Sequence, residues 1–294
     1  MTRKKVAYLT MAEPGDFVTD YHLSFEPMSS LGWDVETVAW RSRPDWNQFD
    51  AVYLCTPWDY PLHLDEFREV LATIDASDAV LFNDISIVHW NLEKTYMRDV
   101  EARGDDIVPS TWYEDFDVAD VPGFFSEHGV DRVVIKPIVG GNATDVFVVS
   151  NPPDEHMLDT LRQTFSGRRF FVQPFIENIQ LEGEFSLFFF NGEYSHGTLK
   201  KPKDGDFRVQ EEHGAEIFVI TPCDALLTAG QQVFSHIEPL PVYGRGDWVR
   251  GPDGRFLLME LELVEPSLYL RTDDAAAARF ASAFEQRFQE FTGK

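Results

Sequence analysis

Asp247, Glu260 and Glu262 are the residues whose types and spacing most plainly call for chemistry. The run Met259-Glu260-Leu261-Glu262-Leu263-Val264-Glu265-Pro266 alternates apolar and acidic side chains, so it reads as a β-strand with Glu260 and Glu262 on one face. Two carboxylates side by side repel each other unless a cation sits between them. Asp247 belongs to a preceding strand over 240–249, and the turn Arg250-Gly251-Pro252-Asp253-Gly254 makes the two strands a hairpin. Three carboxylates around one point predict a Mg²⁺ site, and Mg²⁺ held by few carboxylates shares its shell with phosphate. An amphipathic edge strand with a solvated acidic face has the same pattern, so spacing alone leaves both readings open.

Two further stretches could meet a nucleotide. Val134-Ile135-Lys136-Pro137 followed by Gly140-Gly141-Asn142 is a strand ending in a lysine and a glycine-containing loop, which suits a phosphate. Neither GxxxxGK[ST] nor GxGxxG occurs, which disfavours a Walker loop and a Rossmann dinucleotide site. Gln173-Pro174-Phe175-Ile176-Glu177, with Glu182 just beyond, is a hinge whose backbone can pair with an adenine edge while a carboxylate holds ribose. The loop Thr56-Pro57-Trp58-Asp59-Tyr60 follows a strand and could touch substrate; a rigid aromatic turn is the other reading.

The elements that must position these residues fall into three regions. The first hundred residues alternate strand and helix: strands over 5–10, 34–40, 49–54 and 79–82, helices over 17–31 and 62–74. That rhythm predicts a parallel sheet with covering helices, with ligands at the strand C-terminal ends. A helix over 87–103 carries Asn91 and Lys94 on one side, and another spans 117–128. Strands over 131–137 and 145–149 flank the loop 138–144, followed by a helix over 154–165 and a strand over 169–175. Strands over 183–190 and 193–199 meet at Asn191-Gly192, a strong hairpin signal. The stretch 200–214 reads as a lid loop, and helices over 222–236 and 273–291 close the chain.

With 294 residues, 44% of them hydrophobic, the chain can build a large core or two to three small domains. No run of 18 apolar residues and no signal-like N-terminus occurs, which predicts a soluble cytoplasmic protein without membrane partners. The two cysteines, Cys55 and Cys223, fit neither a metal motif nor a disulfide framework. A net charge of −25 argues against a nucleic-acid partner. Lysine is scarce, with three of eight between Lys200 and Lys203.

Taken in order, these residues resemble the ATP-grasp superfamily, near its glutathione-synthetase-like and ribosomal-protein glutamate ligase branches. The matching pieces are Asn83 with Asn91-Leu92-Glu93-Lys94, the Lys136 strand, the hinge 172–176, Gly183-Glu184-Phe185-Ser186, the stretch 205–210, Arg245-x-Asp247 and Glu260-x-Glu262. Pro57-Trp58-Asp59-Tyr60, Ser195-His196 and the run 260–270 are similar to the subgroup containing D-cycloserine-forming cyclo-ligases. The resemblance implies an α/β and α+β ATP-grasp fold: an N-terminal parallel-sheet domain (1–90), a lobe with the phosphate loop (91–174, its central domain 108–174) and a C-terminal lobe with the metal site (175–294).

It further implies that Lys94 and Lys136 contact nucleotide phosphates, that Gln173, Phe175 and Ile176 line the adenine pocket, and that Glu182 holds ribose. Lys200, Arg208 and Arg245 would steady the transferred phosphoryl group, and Asp247, Glu260 and Glu262 would hold Mg²⁺, with Mn²⁺ as a substitute. Trp58, Asp59, Tyr60, Ser267, Tyr269 and Arg271 would face a small-molecule substrate, and a homodimer is the implied assembly. The expected reaction is ATP-dependent activation of a carboxylate of a small amino acid or peptide as an acyl-phosphate, followed by amine attack, within one molecule or between two. Glu184 and His196 read as structural. The chain departs from the family pattern in Glu262, where asparagine is common, in the glycine-poor loop 140–145, and in His213-Gly214-Ala215. The alternatives are an ATP-binding scaffold that has lost ligation and a metal-binding surface without nucleotide.

Overall fold

The computed structural model describes residues 3–15 and 17–293. Its N-terminal sheet is parallel, in the order β2-β1-β3-β4. It is built from β1 (Lys4–Thr10), β2 (Trp33–Ala39), β3 (Ala51–Thr56) and β4 (Val80–Phe82), with α1 (Phe25–Ser30) and α2 (Leu64–Asp75) in the crossovers. β3 is buried throughout, as a strand covered on both faces must be. On one face, Phe67, Val70, Leu71 and Ile74 of α2 supply the apolar stripe.

Two short helices, α3 (Ile85–Asn91) and α4 (Tyr96–Ala102), lead to the central sheet. That sheet is antiparallel, in the order β5-β8-β6-β7, from β5 (Thr111–Tyr113), β6 (Arg132–Pro137), β7 (Phe147–Ser150) and β8 (Phe170–Pro174). α5 (Val121–Ser126) and α6 (Glu155–Phe165) cover it. β6 alternates: Val133 and Ile135 enter the helix-side core, which leaves Val134 and Lys136 on the opposite face.

After the single turn of α7 (Asn178–Leu181) comes an antiparallel sheet in the order β11-β10-β9-β12-β13. Its strands are β9 (Glu184–Phe190), β10 (Glu193–Lys201), β11 (Glu216–Ile220), β12 (Tyr243–Arg250) and β13 (Phe256–Glu262), with α8 (Asp224–Ser235) against it. The last helix, α9 (Ala276–Thr292), returns to the N-terminal sheet. Its Phe280, Phe284 and Phe288 repeat every four residues and share one core with Tyr8, Trp33, Phe82, Phe188 and Tyr243, cementing the first sheet to the third.

Four expected helices or loops differ. The helix over 87–103 is broken between Asn91 and Tyr96, where the Lys94 N–H leaves the helical ladder and donates to Ile138 O (2.8 Å). The helix over 17–31 shrinks to a 3₁₀ turn and α1, because Pro27 has no N–H and tolerates only a first-turn position. Pro122 restricts α5 in the same way. β10 runs on through Lys201, so the lid loop is shorter than 200–214. β5 and β11 were not expected; among the described residues β11 is an edge strand paired only with β10.

Candidate active site

The charged residues gather on one face of the third sheet. Register sets Lys200 of β10 against Glu184 of β9, Ser186 of β9 against Asp247 of β12, Asp247 against Glu260 of β13, and Arg245 against Glu262. Close pairing at the start of β9 requires Gly183: at φ +119° a Cβ there would lie 2.6 Å from the Lys200 carbonyl oxygen. Lys200 Nζ lies 2.9 Å from Glu184 Oε1 and 3.2 Å from Asp247 Oδ1. Arg245 Nη2 reaches Asp247 Oδ2 at 3.0 Å and Glu262 Oε1 at 2.5 Å, while its Nη1 donates to Ser267 O at 3.0 Å. Lys94, placed by the break after α3, pairs with Glu260.

The strand that carries the glutamates is held from its free edge by side chains. Leu261 N–H donates to Tyr96 Oη (2.9 Å), and Asn91 Nδ2 donates to Leu261 O (2.8 Å). Leu263 N–H donates to Asn91 Oδ1 (2.8 Å), and Asn83 Nδ2 donates to Leu263 O (2.8 Å). Every outward backbone group of Leu261 and Leu263 is therefore satisfied, and the edge is closed.

A cleft lies between the second and third sheets. Gln173, Phe175 and Ile176 line it, as expected, together with Val108, Ile179, Val209 and Met259. Lys94, Lys136, Arg208, Glu260 and Glu262 line its polar end, beside the loop 140–144. Lys136 has no carboxylate partner among the described residues, and burial lowers its ammonium from the ordinary lysine value. Arg208 is held by Asp206 (2.8 Å). In the glycine-poor loop, Asn142, Ala143 and Asp145 all take positive φ, from 51° to 57°, and Arg168 clamps Asp145 (2.6 Å).

A second cavity abuts the first at Glu184, Glu260, Glu262 and the loop residues Gly141 and Asn142. Trp58, Lys200, Arg245, Asp247, Ser267 and Tyr269 line it. Its outer wall is Phe17, Val18 and the segment 210–212, tied across by Val18 N–H to Glu212 (3.2 Å) and by Arg271 to Glu211.

Several expected residues stand elsewhere or in other company. Glu182 does not line the cleft; its carboxylate is taken by Arg250 (2.9 Å), 68 positions away in sequence. Asp59 lines neither cavity and accepts from Trp40 Nε1 (2.7 Å). Tyr60 is buried, stacks on Phe67 (4.7 Å) and reaches only a smaller cavity behind the glutamates. Arg271 is engaged by Asp20 and Glu211. Among the described residues no three carboxylates converge as a ready metal cage. Asp247 turns instead to Arg245 and Lys200, which hold it below the usual carboxylate range despite burial.

The acids nevertheless fit a divalent cation, because Glu184, Asp247, Glu260, Glu262 and Glu265 share only Lys94, Lys200 and Arg245 as ion-pair partners among the described residues. Burial, then Glu260 and Asp247 working against Arg245, push Glu262 up to about 7. Burial and then Glu262 push Glu265 up to about 8. Lys94 stays above the ordinary lysine value, since Glu260 overrides the burial that would lower it.

His196 is structural, as read: it stacks on Phe188 (4.2 Å), shares a hydrogen bond with Ser195 and donates to Leu268 O (3.0 Å), and burial drops it to about 4. Glu184, also read as structural, lines both cavities. Glu265 was not named as a site residue, although it stands in the acidic run and in the 260–270 stretch shared with the cyclo-ligase subgroup.

Residues 6–83 match the family described as D-cycloserine synthetase DcsG, N-terminal domain. Over 283 residues the chain is 31% identical to the cycloserine biosynthesis protein DcsG of Streptomyces lavendulae, covering 90% of this chain and 92% of that one. The crystal structure of D-cycloserine synthetase DcsG is similar with a TM-score of 0.85 at 28% identity, covering 97% of this chain and 99% of the other. D-alanine–D-alanine ligase from Bacillus anthracis, at 14% identity and a TM-score of 0.68 over the full length of both chains, shares the fold.

Proposed function

The chain belongs to the D-cycloserine synthetase (DcsG) family of ATP-grasp ligases, and from that premise we propose that it closes a ring within one small amino-acid derivative. As such it is an ATP-dependent, ADP-forming ligase. The proposed reaction begins with transfer of the γ-phosphoryl group of ATP to the substrate carboxylate, giving an acyl-phosphate and ADP. A nitrogen of the same molecule then displaces phosphate, forming the ring amide and releasing a proton.

The observation that carries this reading is Lys136: a cleft-lining lysine without a carboxylate partner, beside a glutamate row with too few cations. In this reading Val108, Phe175, Ile176, Ile179, Val209 and Met259 take the base, and Lys136 and Lys94 take phosphate oxygens. Arg245 and Lys200 steady the carboxylate as it accepts the phosphoryl group; a guanidinium suits this because its fork is permanently charged. Glu260 and Glu262, with Asp247, would hold Mg²⁺, or Mn²⁺ in its place. The ion supplies neutralisation of charge on the phosphate oxygens. The strap over 210–212, bound to the N-terminal loop, favours a small substrate over a peptide. A homodimer is the assembly expected from the family.

ADP release with Mg²⁺ and ATP across amino acids, dipeptides and O-ureidoserine tests the reading. Turnover of a single compound without added amine supports ring closure. Turnover only with two compounds replaces it with intermolecular ligation, and ATP binding without ADP release replaces it with a non-catalytic scaffold. Lys136→Ala should cut ADP release by at least about 100-fold with the fold intact; unchanged turnover refutes the role of Lys136.

A further inference from the structure

Each acid around the second cavity except Glu265 has its charge or its lone pairs taken up within the chain. Glu184 and Asp247 have Lys200, Asp247 and Glu262 share Arg245, and Glu260 has Lys94. Glu211 has Arg271, and Glu212 accepts the Val18 N–H. Glu265 forms no ion pair among the described residues; Lys94 acts on it only at longer range, and its side chain meets the Tyr60 hydroxyl.

The backbone that presents this carboxylate is pinned at three consecutive carbonyls. Asn83 Nδ2 donates to Leu263 O (2.8 Å), Trp58 Nε1 donates to Glu265 O (2.9 Å), and the Tyr243 hydroxyl lies 2.9 Å from Val264 O and from Phe82 O. Pro266 restricts Glu265 from the other side. The result is a preorganised acceptor, of the kind a binding site builds. The same cavity carries Arg245 and Lys200, so one lining offers cations and a separate carboxylate. Such a lining complements a zwitterion, with its carboxylate at Arg245 and Lys200.

We infer that Glu265 is the specificity residue for the substrate's primary ammonium group, with Tyr60 orienting its carboxylate and Trp58 fixing its backbone. Glu265 thus selects amino acids over hydroxy acids.

This inference rests on the ligase reading of the cavity, and two measurements separate their failures. In the first, ADP release is measured for the wild type and Glu265→Gln with O-ureido-D-serine and with its des-amino analogue, 3-(ureidooxy)propanoate. The variant should lose about 10- to 100-fold in kcat/KM for O-ureido-D-serine, chiefly through KM, with the KM for ATP unchanged. The two enzymes should be alike toward the des-amino compound. An equal loss on both compounds, or no loss, overturns the inference, since a structural or proton-transfer role would not depend on the amine. The second needs no turnover: the Tm is recorded with Mg²⁺, a non-hydrolysable ATP analogue and either D-serine or D-glycerate. The wild type should be stabilised more by D-serine and Glu265→Gln by neither more than the other; absence of a preference in the wild type overturns the inference. If D-serine is preferred and no ADP appears from O-ureido-D-serine alone, the ring-closing reading falls and the ammonium site stands.

Discussion

Replacing Asn91 with leucine tests whether the glutamate strand is positioned by the side chains along its free edge. Asn91→Leu keeps the volume but strips Leu261 O and Leu263 N–H of partners that each sit at 2.8 Å, at positions sealed from water. An unpaired buried backbone group costs about 1–3 kcal/mol, so the pair amounts to roughly 2–6 kcal/mol. At about 2–4 °C per kcal/mol for a chain of this size class, the Tm should fall by roughly 5–20 °C. Glu260 and Glu262 flank Leu261, so slack in the strand should also reach the site, raising the KM for Mg·ATP about tenfold. Asn91→Asp is the companion: it retains an acceptor for Leu263 N–H but sets a charge against Leu261 O, and it should cost at least as much. Scanning calorimetry and ADP-release kinetics on both variants decide the matter. A Tm within about 2 °C of wild type and an unchanged KM for Asn91→Leu would refute the reasoning, showing that the strand needs no edge partner.

Two other perturbations follow from the same geometry. His196 is neutral in the fold down to about pH 4, whereas an unfolded histidine protonates near 6.5. The unfolded chain then takes up a proton that the fold refuses, so stability present above pH 6.5 is lost as pH falls to 4, by roughly 3 kcal/mol. Urea unfolding at pH 7 and 4.5 should show this loss in the wild type and a flatter profile in His196→Phe; equal slopes would sink it. Arg168→Ala frees Asp145 and the strained loop 142–145. Because that pair is partly exposed, worth up to about 1 kcal/mol, the KM for ATP should rise only about two- to fivefold with kcat retained, and Arg168→Lys should recover part of it. A fall in kcat at unchanged KM would assign Arg168 a different role.

The carboxylate strand and its hairpin were legible because alternation and a glycine-rich turn are local signals: Glu260 and Glu262 share a face, and Asp247 is registered against Glu260. Lys136 was legible from another local signal, a lysine at the end of a strand before a glycine-containing loop. What the sequence concealed depends on distant partners. Nothing in Asn91-Leu92-Glu93-Lys94 breaks a helix by propensity, and the break exists because Lys94 N–H finds Ile138 O and Glu93 binds both Arg68 and Arg169. Glu182 had the right position for a ribose ligand until Arg250 claimed it. Asp59 reads as a substrate residue until Trp40 turns toward it. The three carboxylates do not converge in the unliganded fold because Arg245 lies two residues before Asp247 on the same face and pairs with it.

The edge closure of β13 also sets how this chain can vary. Asn83, Asn91 and Tyr96 bind backbone atoms of Leu261 and Leu263, not their side chains. Residues 261 and 263 are therefore free to exchange among apolar types without disturbing that clasp. Length is another matter. One residue inserted or removed between Asn83 and Asn91 would rotate Asn91 by about 100° around its helix and withdraw it from the strand. The same change in the turn after β12 would offset the strand by one residue and carry Glu260 and Glu262 to the far face. Related chains should thus keep these two spacings even where the residues between them differ, and length changes should collect in loops that bear on neither, such as 114–117.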